Sequence, residues 1–330
     1  MNPVKTPKTP IMTIDIPKYK YPVKDIRNFE LQNIRMDVNP MDSIAILGES
    51  GSGKSTLLNI LAGLLKTEQK NQVCMRSPNN VMVPLIDISR KKRYRQLQIV
   101  FQDNIGSLYE KETVQAALKH IARITGQKRQ TIEDVAIDFF QQLHLISQSN
   151  DKKKHLDSFE TFKEKQVAQL SMGMLRRYCL AKALMLMDIY KDNQADSPKI
   201  LLVDEISRGL DQVTKKQLIT FIQDAQKKYH LSIVAISHEM DFLKAFCNQF
   251  YFLFEGLLIP KAYTRQELSK DGCKSINNTY LRRYFIPCKE PLPRDQKMGQ
   301  TENNCYFQQF YHCPDASDCI NKTKETQICV

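Results

Sequence analysis

No run of apolar residues in this chain approaches the roughly 18 needed to cross a bilayer; the longest are short pieces such as "SIAIL", "ILLV" and "YFLF". The first residues, "MNPVKTPKTPIMTIDIPKYK", carry lysines with no apolar segment behind them, so a secretory leader is not expected. The expectation is a cytosolic chain, and there nine cysteines serve as thiols or ligands in preference to a disulfide framework. Cys74, Cys179 and Cys247 stand in apolar surroundings and are expected to be buried. Glycine is scarce too, 11 in 330 residues, yet Gly48, Gly51 and Gly53 crowd into one short stretch.

What is present is enough for a globular core, since 42% of the residues are hydrophobic. The formal net charge of +12 suits acidic partners: nucleic acid, nucleotide phosphates or the anionic face of a membrane. Charge alone does not choose among them, and runs such as "SRKKRYRQ" and "NDKKKH" read by default as solvated surface.

Residues 1–28, rich in Pro, Lys and Tyr, read as an extended lead-in with an edge strand at "IMTIDI". From Phe29 to about residue 260 strands and helices alternate. "SIAIL", "LQIVFQ", "KILLVDE" and "LSIVAISH" have the compact apolar character of buried strands, while "STLLNILAGLLK" and "QVTKKQLITFIQDAQKKY" have helical spacing. This pattern predicts an α/β fold with a parallel sheet covered by helices. "ETVQAALKHIARITG" and "TIEDVAIDFFQQLHLI" interrupt the strand signal and predict a helical subdomain inserted over about 103–185. Residues 261–330 turn polar and irregular, with four late cysteines, and read as a separate extension.

"GESGSGKST", residues 48–56, lies between a predicted strand and a predicted helix and contains G-x-x-x-x-G-K-[ST]. Glycines in that order let backbone N–H groups turn inward around phosphates, which makes Gly48, Glu49, Ser50, Gly51, Ser52, Gly53, Lys54, Ser55 and Thr56 a nucleotide-binding loop. Lys54 is placed for the β/γ oxygens and Ser55 for Mg²⁺. "ILLVDE" adds Asp204 at a strand end, suited to hold Mg²⁺ through water, and Glu205, suited to polarise an attacking water. These features together predict a P-loop NTPase core.

With these residues the chain resembles the ATP-binding subunits of ABC transporters. "FQD" with Gln102 resembles the Q-loop, "LSMGM" with Ser171 and Gly173 the signature, "RGLD" ending in Asp211 the D-loop, and "ISHEMDF" with His238 the switch histidine, in the family's order across roughly residues 29–258. The resemblance implies a RecA-like core, ATP and Mg²⁺ as ligands, and ATP hydrolysis with Glu205, His238 and Gln102 as the catalytic set. It also implies that Gln102 joins Ser55 and Asp204 around Mg²⁺, and that Ser171, Gly173 and Asp211 complete a nucleotide site on a second ATPase domain closed head to tail. Two departures stand out. Met172 occupies a signature position where the family has glycine, and "ISRGLD" replaces the commoner Pro-Thr-Ser-Ala-Leu-Asp. For the adenine-stacking aromatic, ungapped alignment gives Asp25, with Tyr19, Tyr21 and Phe29 nearby.

"IVFQDNIGSLYEKETV" and "MLRR" further resemble the dipeptide, oligopeptide and nickel importer branch. In the tail, Cys305, Cys313, Cys319 and Cys329, spaced C-x7-C-x5-C-x9-C, resemble that branch's C-terminal cysteine motif and imply a [4Fe–4S] cluster or a Zn site, with Cys288 a substitute ligand. The implied protein is a peripheral ATPase on the cytoplasmic side of the inner membrane. Its implied partners are transmembrane permease subunits, a second ATPase subunit in a heterodimer rather than a homodimer, and, indirectly, an extracytoplasmic solute-binding protein. Nucleic acid is not among them; a soluble ABC ATPase acting on nucleic acid or ribosomes is the alternative, as is the ATPase of an exporter.

Overall fold

A computed structural model describes residues 9–20, 29–77, 79–101, 111–147, 152–188 and 198–268. The chain divides after Ala262 into two units. In the first, the strands are β1 (Met12–Lys20), β2 (Glu30–Val38), β3 (Ser43–Leu47), β4 (Val73–Arg76), β5 (Met82–Pro84), β6 (Leu97–Val100), β7 (Lys199–Asp204), β8 (Leu231–Ile236), β9 (Gln249–Phe254) and β10 (Leu257–Leu258). They join edge to edge in the order β5-β4-β1-β2-β10-β9-β3-β8-β7-β6. The helices are α1 (Lys54–Leu61), α2 (Arg90–Gln96), α3 (Val114–Thr125), α4 (Arg129–Gln142), α5 (Lys152–Glu164), α6 (Met172–Asp188), α7 (Gln212–Tyr229) and α8 (Met240–Phe246).

The half β9-β3-β8-β7-β6 is parallel throughout, as the buried apolar runs predict. β3 and β8 are buried at every residue, which is what a sheet covered on both faces demands. The other half was not read from the sequence. β1 pairs antiparallel with both β2 and β4, and β4 with β5. The "IMTIDI" segment is therefore not an edge strand: β1 lies inside the sheet, with Met12, Ile14, Ile16 and Tyr19 in the core. Its alternation of buried and exposed residues is that of a strand with one wet face.

The helical insertion has its own apolar centre. Phe140 of α4 packs against Phe159 and Phe162 of α5 and Tyr178 of α6, with ring centroids 5.1–6.2 Å apart. Local capping sets the helix limits. Thr113 Oγ1 accepts from the Ala116 N–H at 3.1 Å at the start of α3, and Gly126 closes that helix at φ 72°. No helix among the described residues is long and apolar enough to cross a membrane.

Candidate nucleotide site

Strand register brings the site together. In β3, β8 and β7, which are neighbours, Ile46 is paired with Ile236 and Ile236 with Asp204, so the next residues, Leu47, Ser237 and Glu205, stand at one level, Leu47 still paired with Phe252 of β9. The crevice beyond the carboxyl ends of parallel strands is where such folds bind ligands. From it run the phosphate loop after β3, the acidic pair at the end of β7 and His238 after β8.

The loop is held close to the sheet. A Cβ at Gly48 would lie 2.1 Å from the Leu253 carbonyl oxygen, so only glycine fits there, and Gly53 sits at φ 100°. Lys54 is buried, its ammonium donating to the carbonyls of Gly48 at 2.9 Å and Glu49 at 2.7 Å. Burial lowers its pKa below the ordinary lysine value, against the opposing pull of the Glu205, Asp204 and Glu49 carboxylates. α1 begins with neither a side-chain cap nor an acidic residue in its first turn, so its N–H groups present a positive helix end. Nearby, Ser52 Oγ is buried with no hydrogen-bond partner among the described residues. An open helix N-terminus, a buried ammonium and carboxylates beside it fit a nucleotide phosphate with Mg²⁺.

Glu205 is nearly buried and takes a left-handed conformation at φ 51°, costly for a side chain with a Cβ. Its N–H donates to the Ile236 carbonyl at 2.9 Å, and its carboxylate lies 2.8 Å from Nδ1 of His238, whose side chain is 55% exposed. Asp204, 5% exposed, ends β7 beside it.

Ser171 and Met172 are exposed at the start of α6, with Ser171 Oγ accepting from the Met174 N–H at 3.2 Å. The Met172 side chain points outward, 43% exposed. Gly173 lies against Leu210, whose Cδ2 would be 3.0 Å from a Cβ there, so signature and D-loop touch within one chain. Asp211 caps α7: its Oδ1 accepts from the N–H groups of Val213 and Thr214 at 2.9 Å each and its Oδ2 from Thr214 Oγ1 at 2.6 Å. These bonds from Thr214 hold its carboxyl below the ordinary range. Of the aromatic candidates, Tyr19 is 2% exposed in the core and out of reach of a base, whereas Phe29 stands over Gly53. Asp25, Tyr21, Gln102, Cys288, Cys305, Cys313, Cys319 and Cys329 lie outside the described residues. Cys247 is buried as expected; Cys74 and Cys179 are only half-buried.

Sequence reasoning passed over three features. Arg177 of α6 donates to the carbonyls of Gly173 at 3.2 Å and Leu143 at 2.9 Å, tying the signature to the end of α4. The Glu255–Gly256 turn between β9 and β10 has both residues at positive φ, a turn type suited to strand twist, and its Gly256 N–H donates to the Ser52 carbonyl at 3.0 Å. Lys215 of α7 pairs with Glu239 beside His238. Only the "EG" turn had a local signal.

Residues 31–208 match the family model for the ABC transporter domain, more than half of the chain. The chain belongs to the ABC transporter family. Among its relatives is the nickel import ATP-binding protein NikE of Escherichia coli (strain K12), 26% identical over 253 residues, 76% of this chain and 85% of that protein. NikE of Shigella sonnei (strain Ss046) matches to the same extent, 26% over 253 residues. Among solved structures, cbiO1 from Clostridium perfringens, part of the ABC transporter complex cbiONQ, aligns with a TM-score of 0.59 at 23% identity, covering 81% of this chain and 94% of that one. A dimeric bacterial ABC transporter cassette aligns with a TM-score of 0.58 at 19% identity, covering 77% and 98%. The chain is thus an ABC transporter ATP-binding subunit related to a nickel importer ATPase. ABC cassettes are ATPases that take ATP with Mg²⁺, and in importers they work with membrane permeases.

Proposed function

We propose that this ATPase energises uptake of a small solute, a peptide or a nickel ion, through partner permeases, as one half of a dimer with a different second ATPase subunit. The observation that carries the reading is the shared level at which the phosphate loop, Asp204–Glu205 and His238 leave neighbouring strands. Relatedness to a nickel import ATP-binding protein supports import.

Lys54 neutralises the β/γ oxygens, and Ser55, Asp204 and Gln102 would hold Mg²⁺, which when bound would supply positive charge to the phosphate oxygens. Glu205, its carboxylate oriented by His238, accepts a proton from water as the water oxygen bonds to the γ-phosphorus. The bond from that phosphorus to the bridging oxygen breaks, and ADP and phosphate leave. Ser171 and the N–H of Gly173, at the start of α6, meet the γ-phosphate bound by the second subunit. Met172 beside them keeps that site slow, so the two sites are unequal. By the resemblance of their spacing alone, the tail cysteines Cys305, Cys313, Cys319 and Cys329 would be the thiolates to hold a [4Fe–4S] cluster or Zn.

Tagged Glu205→Gln protein, isolated with ATP from gently solubilised membranes, tests the reading. Recovery of two multi-spanning proteins and a second ATPase supports it. Recovery of soluble proteins or nucleic acid alone overturns it in favour of a soluble ABC ATPase.

A further inference from the structure

We propose that the Lys215–Glu239 ion pair is a positioning link through which the first turn of α7 sets the loop carrying His238. The proposal rests on the reading of Glu205 and His238 given above. Lys215 Nζ lies 2.5 Å from Glu239 Oε2, with side chains 18% and 25% exposed, so water screens the pair only in part. Both partners are fixed at their backbones. The Lys215 N–H donates to the Asp211 carbonyl at 2.9 Å, inside a turn that the Asp211 carboxylate locks with three bonds. Glu239 opens α8, donates its N–H to Ser237 Oγ at 3.0 Å and accepts from the Leu243 N–H at 3.2 Å.

His238 stands between Ser237 and Glu239, with its ring 2.8 Å from the Glu205 carboxylate. The backbone carrying this exposed ring is therefore gripped from the sheet at Ser237 and from α7 at Glu239. A further bond from α7 to α8, Gln223 Nε2 to the Ala245 carbonyl at 3.0 Å, starts about two helical turns beyond Lys215 on α7 and ends at the far end of α8 from this loop. The same turn of α7 begins at Asp211, next to Leu210, which touches Gly173. A shift of the Asp211 turn is thus carried by Lys215 to His238 and its hydrogen bond. An ion pair that merely decorates a surface stabilises little and leaves catalysis unchanged. A link that aims a catalytic group changes turnover, because small misplacements cost large factors in rate.

The test uses the protein purified as the ATP-hydrolysing dimer, with Lys215→Met, Glu239→Gln, the double variant and Lys215→Arg introduced in this chain, and Glu205→Gln as control. ATP hydrolysis is followed against ATP concentration, thermal unfolding is recorded, and ¹⁵N-histidine NMR reports the His238 tautomer, assigned with His238→Gln. Lys215→Met is expected to lower kcat about tenfold with KM within about twofold and Tm within about 2 °C, and to alter the His238 signals. Lys215→Arg recovers most of the loss, and the double variant is no worse than either single one. Wild-type kcat and unchanged His238 signals in Lys215→Met overturn the link, as do single losses that multiply in the double variant. If Glu205→Gln hydrolyses ATP like the wild type, the reading of Glu205 fails instead, and the His238 signals by themselves still decide the link.

Discussion

His238 Nδ1 lies 2.8 Å from the carboxylate of Glu205, although 33 residues separate them in the chain. Glu205 leaves β7 in a left-handed conformation, and that unfavourable backbone turns its carboxylate toward the histidine. Glutamine keeps the backbone and the shape but cannot accept the proton. Glu205→Gln is therefore expected to lose about 10²–10⁴-fold in kcat while ATP affinity and Tm hold. Steady-state hydrolysis and equilibrium nucleotide binding check both halves.

Replacing Gly256 reaches from the sheet to the phosphate loop. It sits at φ 85°, a Cβ there would come 1.9 Å from the Glu30 carbonyl oxygen, and its N–H supports Ser52 of the phosphate loop. Gly256→Ala should cost about 2–3 kcal/mol, lower Tm by about 4–10 °C and raise KM for ATP. Thermal unfolding with and without nucleotide measures it.

Met172 is exposed at the first position of α6, where its removal leaves no cavity. Met172→Gly is expected to change stability by less than about 1 kcal/mol. ATP turnover of the dimer should rise several-fold, because the helix end then approaches the opposite nucleotide more closely. Turnover assayed at saturating ATP decides this.

Burial pushes the Cys179 thiol from 9.0 up to about 12, with Lys182 opposing. A raised thiol pKa removes thiolate at neutral pH, so at pH 8 the native thiol should alkylate far more slowly than in the unfolded chain. The sign is that of a group held neutral by folding: reactivity returns only as pH climbs toward 12 or as the chain unfolds. Peptide mapping after timed iodoacetamide treatment follows Cys179 by itself.

Much of the site was legible because its parts are local. The phosphate loop is a contiguous string between a strand and a helix, and "ILLVDE" and "LSIVAISH" announce both their strands and the polar residues at the strand ends. Part of the other half of the sheet was hidden, because β5 and β10 have three and two residues and carry no periodicity; β10 runs parallel to β2 and antiparallel to β9. β1 read as an edge strand because its alternation shows one wet face, but nothing in "IMTIDI" reveals that Cys74 and Met75 will pair beside it.

The sequence by itself determined the family, the loop that surrounds phosphates and the acidic and histidine residues near it, since these depend on residue type at fixed short spacing. Only the tertiary structure decided that Glu205 bends left-handed to meet His238, that Tyr19 is sealed in the core while Phe29 stands over Gly53, and that Lys215 reaches Glu239. Those relations depend on strand register and helix packing, which bring distant residues within a hydrogen bond of one another, and no local spacing encodes them.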